Sequence, residues 1–508
     1  MEPYDPEHRD KTGTAASDSG LLRELTGRLF RDTLRYIPAA VLPAALSVVS
    51  ASVFTRIFTP DEYGRYALVL VATVFAGAIL SGWMQQSVLR YLPRFKVDGR
   101  LDEFLNKLLV MLLGVSLAVA LLLLLTRPFL VNTLGGYTTF LIPAVLLVLS
   151  EMFFMNLGSA FQANLRPKTY SLFKISNAAL RLGLSLAFVL LIRRDVVGLI
   201  IGAVVANILL VGPMLRQHGV LSRPAGIGRL VDFGFFKLFA VYGFPMIGWI
   251  LCAQILDLSD RVVLGALRGS REVGIYSANY NLVRMGFGLV SGPVLTALYA
   301  VVMNAWEKGH REQIADIISE FSRYYMLAIV PLVTFVSVFR LEIVSIVLGS
   351  EFREGYTIVP FVLAGTMVWG LAMIGHKGLE IYEKTTTMLM LVIISALANI
   401  ILNFVFIPKY GYNGAAFATF ISYLLYPILV YVATKRLVPW RIPWLGIGRI
   451  VVAAAVMAGV MMVIGGSIAE LVPAIVGLII AGIAGIAVYL GVLFLTREWR
   501  PIKRGASS

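Results

Sequence analysis

Ten residues into the apolar stretch 274–300 stands an arginine, Arg284, with Asn281 three residues before it on the same helical face. A charge at the middle of a bilayer costs at least about 2.5–3.5 kcal/mol, so each one needs a partner or water. Arginine keeps its charge and grips phosphate or carboxylate through two parallel hydrogen bonds, which suits a cation that lines a wet cavity and holds an anionic head group. The plainer reading is an interhelical salt bridge or a side chain that snorkels to the interface. Arg181, with Asn177 one turn before it, poses the same choice halfway along 172–191. Gln85 and Gln86 end another apolar stretch and have the amides to bind hydroxyl groups; Arg90 beyond them reads as an anchor. Gln254, Asp257 and Arg261 share one helical face, with Asp257 and Arg261 spaced as an i,i+4 ion pair. They form either a gate, a cation site at Asp257, or a local pair that caps a helix end. Glu151, Asn156 and His376 lie in apolar stretches without an evident partner, and Asn399 and Asn403 are spaced to bridge helices.

The elements that must carry these residues are membrane helices. Of the 508 residues 58% are hydrophobic and only 14% charged, against about 25% charged in a soluble domain. This excludes a soluble enzyme and a disordered chain, and the single Cys252 excludes an internal disulfide. Fourteen stretches are long enough to cross a bilayer: 36–57, 67–89, 105–125, 137–160, 172–191, 196–215, 237–257, 274–300, 318–340, 357–380, 387–407, 415–434, 446–466 and 472–495. With the N-terminus placed in the cytoplasm, the cytoplasmic segments hold 31 Lys and Arg and the opposite side 11. That asymmetry predicts both termini inside and makes the formal charge of +15 a topology signal rather than a mark of nucleic-acid binding.

Internal similarity organises the spans. Asp61-Glu62-Tyr63-Gly64-Arg65-Tyr66 echoes Arg271-Glu272-Val273-Gly274-Ile275-Tyr276 at an offset of 210. Lys168-Thr169 echoes Lys384-Thr385, and Gly198 echoes Gly414, at an offset of 216. Six spans separate the copies, an even number, so the repeats are parallel and related by an axis along the membrane normal. The predicted architecture is all-α and polytopic, with 14 transmembrane helices in two six-helix lobes, 36–215 and 237–434. A cytoplasmic linker, 216–236, joins the lobes, and 446–495 forms an accessory pair. A basic cytoplasmic tail, 1–35, precedes them, with 21–35 spaced as a helix lying on the membrane surface; 496–508 forms a second cytoplasmic tail.

Chemistry that breaks covalent bonds is not expected. No Gly-x-x-x-x-Gly-Lys-Ser/Thr loop or His-Glu-x-x-His is present, and the four histidines are scattered. No catalytic residue, metal or cofactor is therefore predicted.

The stretch Asp260-Arg261-Val262-Val263-Leu264-Gly265, followed by Glu272-Val273-Gly274-Ile275-Tyr276-Ser277-Ala278, resembles a recurring pattern of polysaccharide flippases. These belong to the multidrug/oligosaccharidyl-lipid/polysaccharide exporter superfamily. Phe58 to Tyr66 and Tyr412-Asn413-Gly414-Ala415-Ala416 look like the same family's loops. The resemblance implies two lobes in a V around a hydrophilic, cationic cavity. It also implies a flippase, in the inner membrane, that carries a polyprenyl-pyrophosphate-linked oligosaccharide across by alternating access. The expected partners are that lipid-linked oligosaccharide, membrane lipids, a coupling proton or sodium ion, and polysaccharide-assembly proteins. The substrate cavity would take Arg284, Asn281, Arg181, Gln85 and Gln86, with Gln254, Asp257 and Arg261 as gate or ion pair. A drug/cation antiporter of the same superfamily is the nearest alternative, and it calls for an acidic cluster in the bundle interior. A membrane-embedded transferase or a scaffold is the alternative of another class.

Overall fold

The computed structural model describes residues 37–219, 232–309, 311–468, 473–496 and 498. The expected surface helix 21–35, most of the linker 216–236 and nearly all of the tail 496–508 lie outside these residues. The described elements are all helical. Among the described residues eleven helices are long and apolar enough to span a bilayer, and the protein is a multi-pass membrane protein.

In chain order the helices are α1 (Ile37–Ile57), α2 (Pro60–Gly77), α3 (Trp83–Val97), α4 (Leu101–Leu134), α5 (Thr138–Ala163), α6 (Pro167–Leu191) and α7 (Val197–His218). Then follow α8 (Phe233–Arg268), α9 (Ser270–Glu307), α10 (Arg311–Val338), α11 (Arg340–Val347), α12 (Val359–Gly375), α13 (Lys377–Ile381), α14 (Thr385–Thr434), α15 (Trp444–Ile468) and α16 (Ala474–Leu495). A π-helical turn, Ala78–Gly82, joins α2 to α3 without a break.

Several helices run past their apolar stretches. The segments expected as loops at 58–66 and 258–273 are helical from Pro60 and as far as Arg268. Thr59 starts α2 with a capping box: its hydroxyl accepts from the Glu62 backbone N–H, and the Glu62 carboxylate accepts from the Thr59 N–H at 2.9 Å. At 36 residues, α8 is about 54 Å long, well beyond a hydrocarbon core of about 30 Å. Asp260 and Arg261 do not end it: they pair with each other at 3.1 Å, and the hydroxyls of Tyr276 and Thr419 from other helices donate to Asp260. Helix α14 covers two expected spans in one run, broken only at Gly411 (φ 53°, ψ −135°). Segments 41–57 of α1 and 297–306 of α9 are shorter apolar runs. Among the described residues, length and composition thus give eleven long apolar helices, one of them covering two expected spans, and two shorter apolar runs.

The repeated motifs meet each other. Helix α2 crosses α9 with Gly64 against Gly274, the matched glycines. A Cβ on Gly64 would collide with the Ser270 carbonyl, and one on Gly274 with the Pro60 carbonyl. Pro60 and Ser270 are themselves 210 residues apart, so the contact reads the same from either repeat. Ser270 also donates to Asp61. The remaining glutamate of the motif, Glu272, accepts from the backbone N–H of Tyr412 at 3.0 Å and so satisfies the break at Gly411. Nearby, Arg56 donates to the carbonyls of Ile346 (2.7 Å) and Val347 (2.8 Å). A continuous apolar core joins both repeats at this end, including Phe54, Tyr63, Leu147, Tyr276, Phe352 and Val362.

The repeats touch again near the other end. Helix α3 lies on α8, where Gly243 leaves room for the Trp83 carbonyl and Ser87 donates to the Phe239 carbonyl at 2.9 Å. Trp83 stacks on Phe244, and Lys107 of α4 bridges to Asp232 before α8 at 2.7 Å. Helices α15 and α16 pack on each other and on α10, sharing a core with Tyr325, Met326 and Phe339. Glu498, just past α16, is 5% exposed and takes both Arg323 (3.4 Å) and Arg449 (3.1 Å).

Candidate functional site

The polar residues of the second repeat gather where α8, α9 and α14 adjoin. Asp257 is at the centre. Arg284 pairs with its carboxylate, and the hydroxyls of Tyr280 (2.8 Å) and Tyr423 (3.2 Å) donate to it. The i,i+4 pairing expected between Asp257 and Arg261 is not the one formed. Arg261 donates to the backbone carbonyl of Asp257 at 2.8 Å and pairs instead with the carboxylate of Asp260 at 3.1 Å. Asp260 also accepts from Tyr276, and from Thr419 at 3.3 Å. The Arg261 guanidinium lies over the Tyr280 ring, 4.5 Å from its centroid. Next to it Asn399 accepts from Ser259 and from Asn403, both at 2.9 Å, and donates to Thr419 at 3.3 Å.

Burial separates these groups into two kinds. Arg261 is 3% exposed and Asp260 is fully buried, so this pair, closed over by tyrosine rings, is part of the interior. Arg284 is 54% exposed although it lies within an apolar helix. One of its nitrogens is held by Asp257, and Asp257 is in turn held by two tyrosines. The result is a fixed cation whose hydrogen-bond partner among the described residues is Asp257. Gln254, on the same face, is half-buried and has no hydrogen-bond partner for its side-chain oxygen among the described residues.

The first repeat has its own set. Arg181 of α6 pairs with Glu151 of α5 at 2.7 Å, each one-third exposed. Neither is therefore the isolated charge its sequence context suggested. Asn177 does not assist Arg181 but donates to Asn207 at 2.7 Å, which donates to Ser150 at 3.0 Å. Asn156 donates to Ser81 at 2.9 Å, and so does Gln85, at 3.2 Å. Gln85 also lines a pocket with Ser159, Gln162, Tyr170 and Lys174; Gln86 is half-buried beside it in sequence. Asn281 is half-buried on α9. His376, expected without a partner, sits 3.1 Å from Glu380.

Residues 53–357, more than half of the chain, match the family described as polysaccharide biosynthesis protein. The chain belongs to that family. This polysaccharide biosynthesis family member is 26% identical over 202 residues to the probable low-salt glycan biosynthesis flippase Agl15 of Haloferax volcanii, a match that covers 40% of this chain and 43% of the flippase. Among solved structures, the family member's fold is similar to that of the lipid II flippase MurJ in an inward closed conformation. The TM-score is 0.74 at 15% identity, covering 91% of this chain and 99% of that one. It is also similar to an outward-facing multidrug resistance MATE family transporter of the MOP superfamily, with a TM-score of 0.60 at 13% identity over 80% of this chain and 95% of that one. At these identities the two structures establish the fold.

Sequence reasoning missed Asp260, Tyr280, Tyr423 and Lys174. Asp260 stood in the quoted Asp-Arg-Val-Val stretch beside Arg261, so the signal was present. The tyrosines carried none, because a buried tyrosine in a membrane helix looks like any aromatic.

Proposed function

We propose that this protein is a flippase that carries a lipid-linked oligosaccharide across the cytoplasmic membrane for cell-surface glycan synthesis. The observation that carries the reading is Arg284: a guanidinium more than half exposed within an apolar helix and fastened to Asp257. Such a group suits a pyrophosphate, which it can bind through its remaining N–H groups. The lipid tail stays in the bilayer while the head group crosses between the two repeats. The family and the flippase relative support this reading, and so does the two-repeat architecture, which we read as lobes 36–215 and 237–434 rocking about the α2–α9 and α3–α8 contacts. The Lys and Arg asymmetry supports both termini in the cytoplasm. A transmembrane potential of 100 mV, negative inside, favours outward movement of each negative charge by about 2.3 kcal/mol.

The drug/cation antiporter reading calls for an acid free to take a cation. Asp257, Asp260 and Glu151 are each paired with an arginine, which favours the flippase. The test is appearance of a lipid-linked oligosaccharide in the opposite leaflet of proteoliposomes. A protein that exports cationic dyes and moves no lipid-linked sugar would overturn the assignment.

A further inference from the structure

Lys174 is a charge that the site described above does not use. It lies on α6 two turns before Arg181, on the same face. Among the described residues it pairs with no carboxylate. Its ammonium rests 5.8 Å from the centroids of both the Phe154 and Tyr170 rings and 3.5 Å from the Met155 sulfur. Aromatic faces hold a cation without neutralising it, so the positive charge stays available to an anion. The same pocket presents the amides of Gln85 and Gln162 and the hydroxyl of Ser159. These groups come from α3, α5 and α6, with Met214 of α7 at the edge. Arg166 and Lys168 lie close to Lys174 in sequence, and the acid of α5, Glu151, is paired with Arg181. Gln162 and Tyr170, which line the pocket, flank the turn 164–166 in sequence, on the side the basic residues assign to the cytoplasm.

We propose that this pocket is a second anion subsite, in the first repeat, that takes the phosphate groups of a glycan-bearing head group before it reaches Arg284. The proposal rests on the flippase reading for the identity of the cargo, but the chemistry recognised is a phosphate with hydroxyl-rich substituents. Lys174 supplies the charge, Gln85, Gln162 and Ser159 supply hydrogen bonds to sugar hydroxyls, and the Phe154 and Tyr170 rings supply apolar faces. Gly158 keeps the pocket open: a Cβ there would rest 3.7 Å from the Tyr170 ring, and a larger side chain would fill the space.

The test reads Lys174 itself, so that binding at Arg284 does not obscure it. The full chain in detergent is acetylated at lysines and the rate at Lys174 is followed by peptide mass spectrometry. The probes are geranylgeranyl diphosphate, geranylgeraniol (the same lipid without phosphate) and inorganic pyrophosphate. Geranylgeranyl diphosphate is expected to slow acetylation of Lys174 at least fivefold, and geranylgeraniol to leave it unchanged. Protection by inorganic pyrophosphate as well identifies a phosphate from any source as the ligand. Protection by the diphosphate lipid alone identifies a membrane-borne head group. Gly158→Leu, with its charge set intact, is expected to remove the protection. Equal protection by the alcohol, no protection by either phosphate probe, or full protection in Gly158→Leu overturns the subsite. A chain that moves lipid-linked oligosaccharide without protection of Lys174 retains the flippase reading and loses the subsite. A chain that shows the protection and moves no such lipid does the reverse.

Discussion

Replacing Arg284 and replacing Arg261 should have opposite signatures, although both are arginines near the same aspartates. Arg284 is 54% exposed and its partner Asp257 is 16% exposed. In a water-filled cavity solvent screens such a pair, which then contributes about 0.2–1 kcal/mol. Asp257 also keeps two tyrosine hydroxyls when the arginine is gone. Arg284→Ala should therefore cost at most about 1 kcal/mol of stability. Its effect on transport is larger. A hydrogen bond to a charged group contributes about 1.5–3 kcal/mol, so losing it from the bound head group should slow flipping by about ten- to a hundredfold. Arg284→Lys should fall between, since the point charge survives and the planar fork does not. Arg261→Ala leaves Asp260 buried without its counter-charge, which typically costs about 3–5 kcal/mol. Protein yield and melting temperature should then fall together with activity. The assay pairs proteoliposome flipping with detergent melting curves on the same preparations. A fully active Arg284→Ala, or one that melts as early as Arg261→Ala, refutes the division into a working and a structural arginine.

Further outcomes follow from the joints between the repeats. Gly64→Leu drives a side chain into the Ser270 carbonyl at a cost of about 1–3 kcal/mol; cross-linking of cysteines placed at Asp61 and Ser270 should fall relative to the same pair on an unaltered Gly64, and undiminished cross-linking would show that the close crossing is dispensable. With Cys252 replaced, a cysteine at Ser270 should react with an impermeant thiol reagent on intact cells and one at Ser222 should not; the reverse pattern inverts the topology. Glu498→Ala withdraws the buried counter-charge from Arg323 and Arg449 and should lower stability by about 3 kcal/mol. An unchanged melting curve would mean that 446–495 is the detachable pair the repeat pattern suggested.

The motif residues changed meaning once the fold was known. Gly64, Gly274 and Glu272 stand out in the sequence because they recur, and recurrence invites a functional reading. Their positions show an architectural one: the glycines let two helices approach to backbone contact, and Glu272 caps the break at Gly411. The i,i+4 spacing of Asp257 and Arg261 was equally visible and misled. Helical spacing says which side chains are neighbours on one helix, whereas a charge inside a membrane takes the best partner on any helix.

Composition and apolar run length determined the all-helical membrane fold, since the bilayer acts on each segment separately and every backbone group must be satisfied within its own helix. The offset of 210 likewise predicts a parallel repeat from counting alone. Which polar residues meet was decided by the tertiary structure. Arg284 with Asp257, Arg181 with Glu151, and Lys174 between two rings each join residues from different helices or depend on what those helices leave open. Exposure, which separates Arg284 from Arg261, is a property of the packed bundle, and no local pattern of residues encodes it.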